Sequence, residues 1–367
     1  MTDLAQLRER LDAIDRELLE VAAKRLALVE KIRAAKRASG GAVFDRGREQ
    51  TVLRNAEEHG AELGLSTELV DKLMAALLEA SHSHQQASTT ESETPRRILI
   101  VGGAGRMGAL FGGLFAARGH EIDVLEKGDP LDDRVSRADV VIVAVPMAVA
   151  ESVITKLATL VRDDALLCDI NSLKQNACKA LANSNGEALG THPMFGPTVG
   201  TLRRQKIVLC RVKPGPLGDW LRAELAQMGA DLIDAEPIEH DRMMAVVQVL
   251  SHFGILTMGR SLTRAGVSLA DTLRFMSPIY RLEVSMVGRL FAQQPELYRE
   301  IVMSNPEAKR FLDLYVEEAT RLANIIAGRA GDDFIAAFQE TADYFAEFSA
   351  DAMALSDRII ATLMARA

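Results

Sequence analysis

Arg97-Ile98-Leu99-Ile100-Val101-Gly102-Gly103-Ala104-Gly105-Arg106-Met107-Gly108 decides the fold of the middle of this 367-residue chain. A short aliphatic run reads as a buried strand, and Gly103 to Gly108 has the spacing GxGxxG. Leu110, Leu114 and Phe115 then recur at helical intervals. Ile122-Asp123-Val124-Leu125-Glu126 is a second strand that ends in an acid. Glycines in this strand–loop–helix–strand context let the backbone approach a pyrophosphate at the helix N-terminus. Gly103, Ala104, Gly105, Arg106, Met107 and Gly108 are therefore the expected dinucleotide-contacting residues. Glu126 is placed to accept from a ribose 2′-OH and to repel a 2′-phosphate, which favours NAD over NADP. The cation of Lys127 beside it acts against that preference. The competing reading is an α/β domain that binds nothing.

Downstream, Val140 to Val145 and Ala165 to Asp169 fit two more strands of a parallel sheet. Ligands of such sheets sit at the carboxyl ends of the strands. Ser172 and Lys174 follow the second of these runs directly. Thr191-His192-Pro193-Met194-Phe195-Gly196-Pro197 has one titratable group, His192, among prolines and glycines. Prolines fix φ and glycines permit unusual φ, so a loop that aims an imidazole is expected. Imidazole is the side chain best matched to proton transfer near neutral pH. A structural loop with a hydrogen-bonded histidine is the alternative. A hydroxyl, an ammonium and an imidazole are thus expected to converge near the nicotinamide.

Upstream, residues 3–38 contain no Pro or Gly. Leu4, Leu7, Leu11, Ile14, Leu18, Val21, Leu28 and Ile32 have the spacing of one long packed helix. Arg25 and Lys36 fall on or near that apolar face. Two cations there are costly unless something negative neutralises them; they either snorkel to the rim or line a pocket for an anion. A helix of about 35 residues is roughly 52 Å long, too long for a compact unit of about 90 residues. It is expected to pack along a partner chain, and Arg8, roughly 25 Å before Arg25, joins the Arg25 pocket only from that partner. A second helix carrying Asp45, Arg48 and Glu49 follows Gly40-Gly41. Ser66-Thr67-Glu68 starts a third, on which Ser81 and Gln85 stand one above the other.

Gln86 to Pro95 is polar, rich in Ser and Thr and closed by Pro, and reads as a linker. From about Pro237 the chain is nearly all helical. Glu239-His240-Asp241 opens a long helix that also carries His252. Ser277-Pro278-Ile279-Tyr280-Arg281 leads into another bearing Arg289. Arg281 and Arg289 lie on roughly one side, where they either bind a substrate carboxylate or make surface ion pairs. The expected architecture is multi-domain: an all-α domain (1–90), an α/β Rossmann-type dinucleotide-binding domain (91–235) and an all-α substrate and dimerisation domain (236–367).

Composition sets the limits. Hydrophobic residues make up 48% and charged residues 26%, with a net charge of −8. Large cores are affordable, and the charge argues against nucleic acid or an acidic membrane as the main partner. Three cysteines without a CxxC pair suit a reducing cytosol, and a cytoplasmic location is expected. No signal peptide, bilayer-spanning run or metal-ligand cluster is read.

Arg8, Arg25, Lys36, Asp45, Arg48, Glu49, Ser81 and Gln85 resemble, position by position, the active-site pattern of the all-helical chorismate mutases. The resemblance implies that Arg8, Arg25 and Arg48 grip the carboxylates of chorismate. Lys36 and Gln85 then donate to its ether oxygen, while Glu49 and Asp45 hold its hydroxyl. The downstream half resembles prephenate dehydrogenase. The matching pieces are GGAGRMG, Asp169-Ile170-Asn171-Ser172-Leu173-Lys174, the THPMFGP stretch, the EHD after Pro237, and SPIYRLEVSMVGRLF. Leu173 stands where that family usually has Val. Together the halves resemble the bifunctional chorismate mutase–prephenate dehydrogenases of tyrosine biosynthesis.

The resemblance implies that chorismate is rearranged to prephenate, which is then oxidatively decarboxylated with NAD. His192 accepts the ring hydroxyl proton, Ser172 bonds that hydroxyl or His192, and Arg289 binds the ring carboxylate. Lys174, His240, His252 and Arg281 are further candidates for the substrate site. A homodimer inhibited by tyrosine is also implied. Two alternatives stay open from the residues: arogenate as the oxidised substrate, and a mutase-like domain that only dimerises or regulates.

Overall fold

The computed structural model of the chain describes residues 4–38, 46–87, 92, 94–131 and 133–365. Three helices come first: α1 (Leu4–Ala38), α2 (Arg46–Glu62) and α3 (Thr67–Ala87). α1 is one uninterrupted helix of 35 residues, as the lack of helix breakers before Gly40 requires. The α2–α3 turn uses Gly64 at φ 73, and Ser66 caps α3 by accepting from the Leu69 amide. Both α1 and α2 pack on α3. Among the described residues of this unit, Val70 is the only large apolar side chain that is buried. The stripe from Leu4 to Ile32 stays 47–61% exposed.

A seven-stranded sheet follows, in the order β2-β1-β3-β4-β5-β6-β7. The chain alternates strand and helix through β1 (Arg97–Val101), α4 (Arg106–Ala116), β2 (Glu121–Leu125), α5 (Asp133–Arg137), β3 (Val140–Val143), α6 (Met147–Ala158), β4 (Leu166–Asp169) and α7 (Gln175–Leu181). It then runs through β5 (Glu187–Pro193), β6 (Lys206–Lys213), α8 (Pro216–Gln227) and β7 (Asp231–Asp234). All neighbours are parallel except β5 and β6. Side chains alternate across a strand, so the sheet has a core on each face. Ile98, Ile100, Ile142 and Leu166 pack with Phe111 and Phe115 of α4. Leu99, Val101, Val141 and Val143 pack with Ile154 and Leu157 of α6. The chain reverses direction across the sheet between β1 and β3, which opens a crevice at their carboxyl ends.

The C-terminal part is helical. α9 (Pro237–Met244) continues through a π-helical turn (Ala245–Leu250) into α10 (Ser251–Arg264). α11 (Leu269–Arg274), α12 (Pro278–Phe291), α13 (Pro295–Met303), α14 (Ala308–Ala327) and α15 (Gly331–Ala365) follow. Ser277 caps α12 by accepting from Tyr280 N, with Pro278 in the first turn. No described helix is long and apolar enough to cross a membrane.

Two points correct the sequence reading. His192 does not lie in a loop: Thr191, His192 and Pro193 close strand β5, and His192 pairs with Val208 of β6. Strands β5, β6 and β7 extend the sheet beyond the four strands read from the sequence.

Candidate active sites

The glycine loop lies at the crevice between β1 and β3. Gly102 has φ +85, and a Cβ there would sit 2.8 Å from the Ala144 carbonyl oxygen. A Cβ on Gly108 would sit 2.5 Å from the Gly102 oxygen and 2.8 Å from Gly103 Cα. Gly108 thus lets α4 lie directly on the loop, with the first-turn amides of Arg106, Met107 and Gly108 facing the crevice end of the helix. Ala104, Gly105 and Arg106 are exposed there, whereas the Met107 side chain packs against the core. Glu126 follows β2 and accepts the Ala104 amide proton at 2.7 Å. A carboxylate against a glycine cradle suits the ribose and pyrophosphate of a dinucleotide.

Two strands away, His192 is 2% exposed. Its Nδ1 lies 2.9 Å from Nε2 of His240, and His240 Nδ1 lies 2.7 Å from Oδ1 of Asp241. Burial first, then the neighbouring His240 and Lys174, push the His192 pKa well below its ordinary 6.5. The imidazole is therefore neutral at neutral pH and able to accept a proton. Ser172 lies half-buried in the β4–α7 turn beside β5. Among the described residues no hydrogen bond joins it to His192.

Lys174 is not a ligand-binding group. It is fully buried, and its Nζ donates to Asp169 Oδ2 at 2.5 Å and to the Thr191 carbonyl at 2.7 Å. Its stem crosses Gly190, where a Cβ would come within 3.4 Å of Lys174 Cδ and 2.6 Å of Cys178 Sγ. Its work is to hold β5 immediately before His192. His240 is likewise buried against His192 and Asp241, and both of its ring nitrogens have protein partners, so it does not bind substrate directly.

A second group of polar side chains lies in the helical part. The His252 ring meets Tyr298 edge-on at 5.0 Å between centroids, and His252 Nδ1 is buried without a hydrogen-bond partner. Burial lowers the His252 pKa. Burial raises that of Tyr298, and the charge of Arg289 opposes this rise, which places Arg289 near the pair. The Gln248 side-chain oxygen and the Tyr280 hydroxyl are also buried without partners. Arg289 is exposed and Arg281 half-buried on α12, which packs on α10. Among the described residues no hydrogen bond or ion pair ties either arginine to His192.

In the N-terminal unit, Arg25 Nη1 donates to Ser81 Oγ at 2.5 Å and to the Leu77 carbonyl at 3.0 Å. Ser81 is buried. This pair places a half-buried guanidinium inside the helical unit rather than at its rim. Arg8 is exposed on the same continuous helix, and so is kept away from Arg25 of its own chain. The expectations for Asp45 and for the side chains of Lys36, Arg48, Glu49 and Gln85 lie outside the described residues.

Comparison with known proteins finds three family matches along the chain. The family profile "Chorismate mutase type II" matches residues 7–86. "Prephenate dehydrogenase, nucleotide-binding domain" matches residues 115–214, and "Prephenate dehydrogenase, dimerization domain" residues 236–340. The T-protein of Enterobacter agglomerans is 33% identical over 95% of this chain and 94% of its own length. The T-protein of Haemophilus influenzae is 31% identical with the same coverage. The chain belongs to the T-protein family, the bifunctional chorismate mutase–prephenate dehydrogenases. It is thus an isomerase and an oxidoreductase of tyrosine biosynthesis, making prephenate from chorismate and oxidising it.

The solved prephenate dehydrogenase of A. aeolicus, in complex with hydroxyphenyl propionate and NAD+, has the fold of the second half. It is 18% identical with a TM-score of 0.58, over 72% of this chain and all of that one. In this chain the glycine loop precedes the span matched by the nucleotide-binding profile, so its assignment rests on its own geometry. The sequence reading quotes Asp241 in the EHD stretch but gives it no role, although it stands beside His240. An acid next to a histidine in the first turns of a helix was the available signal.

Proposed function

We propose that His192 is the general base of the dehydrogenase and that the dehydrogenase half takes NAD. The observation that carries the first assignment is a buried, neutral imidazole at the carboxyl edge of the sheet whose Nδ1 is already engaged by His240. Its Nε2 is then the atom that receives the proton of the prephenate ring hydroxyl. When bound, NAD+ supplies the acceptor for the hydride that leaves the same ring carbon. The bond to the ring carboxylate breaks, CO2 departs and the ring becomes aromatic as 4-hydroxyphenylpyruvate.

Ser172, in the turn next to β5, orients the hydroxyl or His192, and Arg289 binds a substrate carboxylate with a bidentate fork. His252 and Arg281 line the same helical wall. Gly103, Ala104, Gly105 and the amides of Arg106, Met107 and Gly108 hold the pyrophosphate, and Glu126 exchanges the Ala104 amide for the ribose hydroxyl. In the mutase half, Arg25, oriented by Ser81, binds a chorismate carboxylate together with Arg48. Lys36, Gln85, Glu49 and Asp45 complete that site, with Arg8 from a second copy.

The working unit is a homodimer in the cytoplasm, built from domains at 1–90, 91–235 and 236–367. A helix that leaves eight large apolar side chains half-exposed lacks its packing partner, and fully burying each is worth about 1.5–3 kcal/mol. Feedback inhibition by tyrosine fits the pathway position of the enzyme. His192→Asn tests the base assignment: dehydrogenation should fall by about 10²–10⁴ while chorismate turnover stays at the wild-type rate. Loss of both activities together, or retention of both, would contradict it.

A further inference from the structure

We infer that His240 and Asp241 form a positioning pair that sets the tautomer of His192 and leaves its Nε2 lone pair free for the substrate proton. The inference rests on the reading of His192 as the base. Two successive contacts carry it. Asp241 Oδ1 accepts from His240 Nδ1 at 2.7 Å, and His240 Nε2 faces His192 Nδ1 at 2.9 Å. A carboxylate only accepts, so the His240 proton is on Nδ1. In the neutral His240 ring Nε2 then has a lone pair and takes a proton from His192 Nδ1, so the His192 lone pair lies on Nε2. One carboxylate thus specifies the state of an imidazole it never touches.

Asp241 is itself fixed. Its Oδ1 also accepts the Lys174 amide at 2.8 Å and its Oδ2 the Gln175 amide at 3.0 Å, at the start of α7. Asn305 donates to its backbone carbonyl at 2.8 Å. The helical part is thereby locked to the sheet part at the point where His240 meets His192. Lys174 holds the other side of the contact through the Thr191 carbonyl. After proton transfer, the His192 imidazolium still donates from Nδ1 to His240, and the Asp241 carboxylate stands behind it.

Because Asp241 also caps α7, the discriminating variants are at His240. His240→Leu removes the acceptor for His192 Nδ1–H at similar volume, and His240→Gln keeps an acceptor oxygen. His240→Leu should lower kcat for prephenate about 10²-fold, with the KM values for prephenate and NAD+ changed by no more than about threefold. His240→Gln should recover most of the loss. A Leu variant with wild-type kcat, or a Gln variant no better than Leu, would reduce His240 to packing.

Long-range 1H–15N spectra of the histidine-labelled protein read the tautomer directly, with His192 identified by the signals lost in His192→Asn. The Nδ1–H form is expected in the wild type, with a shift toward Nε2–H in His240→Leu. An Nε2–H form of His192 in the wild type would overturn the inference, and with it Nε2 as the accepting atom. Retained dehydrogenation by His192→Asn would overturn the base assignment itself.

Discussion

Burial gives His192, the proposed base, an acid-tolerant profile. The His192 pKa is depressed below 6.5 by desolvation and then by the neighbouring His240 and Lys174, and the proposed base works when unprotonated. Dehydrogenase kcat/KM should therefore stay level as pH falls to 6.5 and decline only through the lowered pKa. An acid limb at or above 6.5 in the pH–rate profile would contradict the burial of His192. Stability moves in the same direction, because the unfolded chain takes up the His192 proton first, below about 6.5. A second group acts at lower pH. Burial alone would raise the pKa of Glu224, but His120, Arg118 and Ser92 together outweigh it and bring the carboxyl to about 2, from 4.5. Ser92 donates to Glu224 at 2.6 Å, and Arg118 lies in hydrogen-bond contact with it. This stabilisation, about 3 kcal/mol, is present above pH 4.5 and is lost as pH falls toward 2. Denaturant melts of the wild type and Glu224→Gln should differ at pH 7 and converge in that window.

Elements explain what the sequence did and did not disclose. The β1–loop–α4–β2 segment was legible because its signals are local: the strand, the three glycines and the acid lie within one supersecondary unit. A Cβ at Gly108 has no room, so Gly108→Ala should push α4 from the loop, lower stability by about 1–3 kcal/mol and weaken NAD+ binding, both measurable by melting with and without NAD+. Strand β5 was hidden because Gly190 and Pro193 mimic loop chemistry. Those residues fit a strand only because Cys178, Cys210 and the Lys174 stem close over Gly190, and that packing is tertiary. The same reason turned Lys174 from a supposed ligand group into a buried tie. Lys174→Met leaves Asp169 buried and uncompensated, and should destabilise the sheet domain by about 3–5 kcal/mol in urea unfolding. The His192–His240 contact joins residues 48 apart, on a strand and a helix whose packing no local pattern reveals.

At the scale of the molecule, two sites that share no described residue lie in series along one chain. The exposed stripe of α1 and the exposed Phe338, Tyr344 and Phe348 of α15 call for a second copy. Sedimentation should therefore report twice the chain mass. Leu11→Glu combined with Leu18→Glu puts carboxylates on the α1 stripe, and mutase activity should fall more than tenfold, beyond the loss typical of an exposed substitution. Dehydrogenation of added prephenate should fall less, because the proposed dehydrogenase residues lie on other elements of the chain. The most direct test of one chain carrying both reactions is to supply purified protein with NAD+ and chorismate as the sole organic substrate and to follow NADH. NADH should accumulate after a short lag while prephenate builds up. Silence with chorismate, together with a prompt response to added prephenate, would contradict a working mutase in the N-terminal helices.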